Sequence, residues 1–323
     1  MKKKNNNYIS IGESRKIRKY NIKQMRYYEK LKRRKCNESE YIATMRDENN
    51  IVEIEDLKTC FFTDNGTVTS VNGVTFDIPK NKIVGIVGES GCGKSVTSLS
   101  IMQLVQAPQG QIVGGSIRMN TDRLGYDENG KKLCYDIAKM PTSATYKIRG
   151  KDITMIFQEP MTSLNPVFTI GYQLDEVSFL LDPGMSKEKA KEYSIELLKK
   201  VGISMPEHTY KSYPHELSGG MRQRVMIAMA LAGHPKLIIA DEPTTALDVT
   251  IQAQILELLR DIQKRENCSV MLITHDLGVI AEMADEVVVM YAGRIIEKGP
   301  VREIFHNPRH PYTNGLQKST PVG

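Results

Sequence analysis

Nowhere in these 323 residues does an apolar run approach the roughly 18 to 20 residues that cross a bilayer. No apolar segment of signal-peptide type follows the basic start either, so the expectation is a chain that works in the cytosol. Cysteine is sparse and scattered. Cys36, Cys60, Cys92, Cys134 and Cys268 form no C-x-x-C pair and no metal-ligand spacing, which excludes a disulfide framework or zinc site and predicts free thiols in a reducing compartment. Long coiled-coil heptads are also missing. What remains, 40% hydrophobic and 25% charged residues, is the composition of a soluble globular protein, long enough for one large α/β domain with additions or for two ordinary domains.

Net charge is +6, but it is not spread evenly. Residues 1–50 carry 15 Lys/Arg against 6 Asp/Glu, a net of +9, and the other 273 carry 29 against 32, a net of −3. Residues 1–48, rich in Lys, Asn and Tyr, are expected to be a basic, largely disordered extension. Ile17, Tyr20, Tyr28 and Leu31 fall near helical spacing, which leaves open a surface helix on anionic lipid or RNA. Patterned sequence begins just after Met45, an alternative start.

The stretch that carries chemistry is Gly88-Glu89-Ser90-Gly91-Cys92-Gly93-Lys94-Ser95, a full match to G-x-x-x-x-G-K-[ST]. It follows an apolar run at 83–87, read as a buried strand, and precedes Val96 to Val105, read as a helix. Three glycines let backbone N–H groups approach phosphate oxygens at a helix N-terminus, Lys94 reaches the β and γ phosphates, and the Ser95 hydroxyl helps hold Mg²⁺. Because Cys92 lies inside this loop, its alkylation is expected to block nucleotide binding, with ATP protecting.

Upstream, 51–57, 68–71 and 74–78 read as short antiparallel strands around an Asp64-Asn65-Gly66 turn. Phe61 and Phe62 lie there, ordinary core aromatics or a ring to stack on adenine. Downstream, 120–150 reads as a loop-rich insertion and 152–157 as a strand ending at Gln158. Helical patterns at 167–181, 186–201 and 221–232 then interrupt the strand and helix alternation, the mark of an inserted helical subdomain. At 237–242 an apolar strand delivers Asp241, suited to Mg²⁺, and Glu242, suited to orient or deprotonate water. After a helix at 254–265, the strand at 269–274 ends in His275-Asp276, at the edge expected to hold both carboxylates.

With Leu217-Ser218-Gly219-Gly220-Met221-Arg222-Gln223 in place, residues from about 51 to 320 resemble the ABC-type ATPase subunits, with Met at the fifth signature position. The resemblance implies an α/β fold with a mostly parallel P-loop core, an N-terminal antiparallel β subdomain and a helical subdomain at about 160–235, all within 49–305. It casts Gly88 to Ser95 as the Walker A loop, with Val96 beside it, Asp241 and Glu242 as the Walker B aspartate and catalytic glutamate, and Gln158 as the Q-loop glutamine that senses Mg²⁺ and water. His275 becomes the switch histidine, Ala246-Leu247-Asp248 the D-loop, and Phe61 the adenine-stacking aromatic. Ser218, Gly219 and Gly220 would complete the ATP site of an opposing subunit.

The run 221–231 together with His310-Pro311-Tyr312-Thr313 resembles, more narrowly, the D-type ATPases of oligopeptide and dipeptide permeases, with 306–323 as their C-terminal tail. That implies two membrane-spanning permease subunits, a second, F-type ATPase forming a heterodimer, an extracytoplasmic solute-binding protein acting indirectly, and a place on the cytoplasmic face of the membrane. Nickel or another small solute remains open as cargo, and a soluble ATPase acting on ribosomes or nucleic acid is the rival, although the slightly acidic body makes nucleic acid an unexpected partner. The cysteine-rich tail that carries an iron–sulfur cluster in many members does not appear before Gly323, so no cluster is expected.

Overall fold

A strand buried on both faces needs a packed layer on each. The runs 83–87, 237–241 and 269–273 are buried at every position in a computed structural model that describes residues 10–159, 163–245 and 247–319. In chain order the strands are β1 (Ile42–Thr44), β2 (Asn50–Thr63), β3 (Gly66–Pro79), β4 (Ile83–Val87), β5 (Gly110–Asn120) and β6 (Leu133–Asp136). Then follow β7 (Ile153–Ile156), β8 (Leu237–Asp241), β9 (Ser269–Ile273), β10 (Glu286–Tyr291) and β11 (Arg294–Pro300). One sheet runs β11-β10-β4-β9-β8-β7, parallel except for β11. The other is antiparallel, in the order β1-β6-β5-β2-β3.

The two-residue period of β4 sets the layers. Ile83 and Val87 enter a core shared with the helices, whereas Val84 and Ile86 enter one shared with Val71, Phe76 and Ile117 of the antiparallel sheet. The helices are α1 (Ile11–Lys32), α2 (Lys94–Ile101), α3 (Ile170–Leu181), α4 (Lys187–Lys200) and α5 (Pro206–Lys211). They continue as α6 (Gly219–Leu231), α7 (Val249–Arg265), α8 (Leu277–Met283), α9 (Val301–His306) and α10 (Pro311–Ser319). Helices α3 to α6 all lie between β7 and β8, where the helical insertion was expected, and the α/β class holds. No helix among the described residues is long and apolar enough to cross a membrane.

Three expectations change. The short strands at 51–57, 68–71 and 74–78 are parts of one long hairpin, β2 and β3, irregular at several bulges. The supposed loop insertion at 120–150 contains β6 and buries Ile137, Met140 and Ile148, because its apolar residues are spaced too irregularly to show a period. Residues 11–32, expected to be disordered, form α1; residues 1–9 lie outside the described residues.

The physical reason is local and then tertiary. Ser10 and Glu13 make a capping box, and Asn21, 3% exposed, donates to the carbonyls of Thr63 (2.7 Å) and Gly66 (3.3 Å) at the hairpin tip. Tyr28 stacks on Phe62 (6.3 Å between centroids, 18° between planes), and Glu29 accepts from Gln111 (2.8 Å). Beyond α1, β1 pairs with β6 and Tyr41 is buried, so a start at Met45 would strip an edge strand and a covering helix from the sheet. The face of α1 turned away carries Lys16, Lys19, Lys23, Arg26 and Lys30, all exposed.

Replacing Asn21 with Ala removes two hydrogen bonds to half-buried carbonyls, worth about 1–2 kcal/mol. Trypsin should then cut within α1 roughly 5 to 30 times faster than in the wild type, while cleavage in the parallel-sheet core stays slow. Equal rates would show that Asn21 does not hold the helix down.

Candidate functional site

Parallel strands bring all their C-terminal ends to one edge of a sheet. Here β4 ends at the glycine loop, β8 at Asp241, β9 just before Thr274 and His275, and β7 just before Gln158. Pairing of Ile86 with Ile273, and of Asp241 with Ile273, places these ends at nearly the same level.

The glycine loop turns into α2 at Gly93, which takes φ +103° as the helix N-cap; a Cβ there would lie 2.4 Å from the Ser70 carbonyl. Lys94, 5% exposed, donates to the carbonyls of Gly88 (2.7 Å) and Glu89 (3.1 Å), leaving its third N–H for a ligand oxygen. Glu89, Ser90 and Gly91 form the exposed lip of the loop. Ser95 and Val96 are half-buried in the first turn of α2. Cys92 is 5% exposed, and burial pushes its thiol up from the ordinary value despite the nearby Lys94 charge. Alkylation there requires the loop to open, a restraint the sequence did not reveal.

Asp241 is 6% exposed and accepts from Ser95 Oγ (3.0 Å) and Ser98 Oγ (3.3 Å). Burial raises its carboxyl above the usual range; the two hydroxyls oppose the rise, and the Glu242 charge adds to it. Ser98 was missed, although Ser95 and Ser98 at i, i+3 share a face of α2. A hydroxyl and a carboxylate beside a phosphate-cradling loop are hard oxygen donors of the kind Mg²⁺ takes from protein, phosphate and water supplying the rest. No group of three or more His, Cys, Asp or Glu that could hold a metal exists among the described residues, so a protein-only cage is not on offer.

One residue on, Glu242 sits at φ +47°, held there as its N–H donates to the Ile273 carbonyl (2.9 Å). This turn sends its side chain away from Asp241 and into a polar cluster. Glu242 Oε2 accepts from Gln158 Nε2 (3.2 Å) and Thr245 Oγ1 (3.1 Å), with His275 Nδ1 at 3.6 Å. Gln158, Glu242 and His275, 84 residues apart at the first step, therefore converge as expected. Thr245 joins them unannounced. The His275 side chain is 65% exposed, that of Glu242 15%.

Ser218 is exposed and caps α6, accepting from the Met221 N–H (3.3 Å), while Gly219 and Gly220 abut Leu247 and Ile251. Asp248 caps α7 by accepting from Ile251 N–H (3.0 Å), and the expected D-loop residue Ala246 lies outside the described residues. The signature and Asp248 thus form a second patch around the start of α7. Phe62 is buried under Tyr28 and is no candidate for a base. Phe61 is half-buried on the opposite face of β2, the face from which Thr59 bonds Ser100 of α2 (2.8 Å).

A carboxyl that holds its proton more tightly when folded than when unfolded loses stability for the protein as pH rises through its shifted titration. Asp241→Asn should therefore raise the thermal midpoint of the nucleotide-free protein at pH 7, with the gain shrinking as pH falls. A midpoint below wild type across that range would contradict the account of Asp241.

Residues 71–245 match the family model for ABC transporters, and residues 296–322 match that for the oligopeptide/dipeptide transporter C-terminal region. The oligopeptide transport ATP-binding protein AppD of Bacillus subtilis is 53% identical over 273 residues, 84% of this chain and 79% of its own. The dipeptide transport ATP-binding protein DppD of Haemophilus influenzae is 47% identical over 272 residues, 84% of this chain and 78% of its own. Among solved structures, the dimeric post-hydrolysis state of the ATP-binding cassette MJ0796 bound to ADP and Pi superposes with a TM-score of 0.64 at 26% identity, covering 78% of this chain and 99% of that one. A phosphate loop, a buried aspartate behind it, a glutamate cluster beside it and these matches lead to one conclusion: the chain belongs to the ABC transporter ATPases.

Proposed function

We propose that this chain is the ATP-hydrolysing subunit of an importer of oligopeptides or dipeptides, placed on the cytoplasmic face of the membrane beneath two membrane-spanning permease subunits. The observation that carries the cargo class is the match of 296–322 to the oligopeptide/dipeptide C-terminal region, joined to relatives named for peptide transport. A second ATPase of the F-type completes the pair, and an extracytoplasmic solute-binding protein delivers cargo to the permease.

In the proposed mechanism the loop from Gly88 to Ser95 cradles the phosphates of ATP, and the free N–H of Lys94 faces the β and γ oxygens. Mg²⁺, held by Ser95 and Asp241, would neutralise charge that develops on the transferring phosphoryl group. Glu242 orients and deprotonates the attacking water, its carboxylate aimed by Gln158 and Thr245, and His275 steadies the γ phosphate. Phe61 stacks on the adenine. Ser218, Gly219, Gly220 and Asp248 lie on the patch that would meet a second subunit's nucleotide, a division of labour for which a solved relative that is a dimer is the support.

A groove of about 830 Å³ between the helical insertion and the core supplies a seat for a permease segment. Its wall includes Leu104, Tyr146, Phe157, Leu180 and Met226, of which Tyr146 is 67% and Leu180 73% exposed. Phe157 adjoins Gln158, so a segment pressed into this groove acts one residue from the glutamate cluster.

Two experiments test the reading. Glu242→Gln should bind ATP as the wild type does yet turn over at least about a hundredfold more slowly. In vesicles containing the co-expressed permease subunits, second ATPase and receptor, labelled peptides should enter only with ATP; uptake of nickel but not peptides, or co-sedimentation of the chain with ribosomes rather than membranes, would replace the proposal.

A further inference from the structure

The C-terminal segment folds back onto the sheet edge. Glu297 of β11 accepts from the backbone N–H groups of Arg309 (2.7 Å) and His310 (3.2 Å), and His310 Nδ1 accepts from Tyr312 N–H (3.1 Å). Farther along, Gln317 Nε2 donates to the Ile304 carbonyl (2.8 Å), which ties α10 to α9. These bonds aim Tyr312 at the glycine loop. Its ring lies against Tyr291, the last residue of β10 (4.7 Å between centroids, 52° between planes), and its hydroxyl accepts from the Glu89 N–H at 3.1 Å.

That N–H shares a peptide group with the Gly88 carbonyl, the closer of the two acceptors of Lys94 Nζ. One rigid plane is therefore held at both ends: by Tyr312 through its N–H and by Lys94 through its C=O. Gly88 has φ +155° and no room for a Cβ, which would lie 2.2 Å from the Met290 carbonyl. A glycine on one side leaves the orientation of this plane weakly determined by its own backbone, so an external acceptor has a real effect on where the carbonyl points.

We infer that Tyr312 is a positioning residue for nucleotide binding: by fixing the Gly88–Glu89 peptide it sets the lysine that meets the β and γ phosphates, and so links the C-terminal segment to the ATP site. The inference rests on the reading of Gly88 to Ser95 as the phosphate cradle, and its test separates the two. Purified full-length chain is titrated with MgADP, and the assembled transporter is assayed for ATP hydrolysis. Tyr312→Phe keeps the ring on Tyr291 and removes only the acceptor.

The expected result is a three- to tenfold weaker MgADP affinity and a similar rise in KM for ATP, the effect of losing one hydrogen bond, with kcat within about twofold and the thermal midpoint within about 2 °C. Tyr291→Leu, which leaves the hydroxyl and removes its backing ring, should show a smaller loss of affinity in the same direction. Lys94→Ala serves as the reference. If Lys94→Ala loses MgADP and Tyr312→Phe binds it as the wild type does, whatever its thermal midpoint, the latch is refuted and the cradle stands. If Lys94→Ala binds MgADP normally, both fall.

Discussion

The parallel pairing of β4, β9 and β8 is the constraint on which the site depends. Each strand end carries one ingredient: a glycine loop, a pair of carboxylates, a histidine. Only a common strand direction brings them to one edge, because reversal of any strand would move its ingredient to the far side of the sheet. The hydrogen bond from Ser95 to Asp241 is the tightest evidence of that meeting, joining residues 146 apart in the chain.

The two carboxylates at the end of β8 show how one residue of offset divides labour. Asp241 is still in the strand, buried and bonded by two hydroxyls, a poor place for a charge and for that reason a receptive one for a cation. Glu242 has left the strand by way of a left-handed backbone turn, a conformation that costs a non-glycine residue about 1–2 kcal/mol, and finds three polar neighbours.

Much of this was legible in the sequence because the features are local. A strand, a glycine turn and a helix in tandem announce the phosphate loop, and a fully apolar strand ending in Asp-Glu announces the facing edge. What stayed hidden depended on distant contacts or on weak periodicity. Residues 11–32 look solvated because eight Lys/Arg outweigh two Asp/Glu, yet a buried Asn21, the Tyr28–Phe62 stack and the Glu29–Gln111 bond dock them. The 120–150 segment conceals Ile137, Met140 and Ile148 among polar residues. Thr245 carries no motif of its own, and the tail motif that contains Tyr312 says nothing of its reach: Tyr312 bonds a residue 223 positions away, a distance no spacing rule spans.

Because α1 is docked rather than free, its positive charge has a fixed location. With eight Lys/Arg against two Asp/Glu in that helix and −3 on the 273 residues beyond the first 50, the docked helix gives the molecule an oriented electric dipole. In an external field such a dipole turns the lysine-bearing side of that helix toward negative potential.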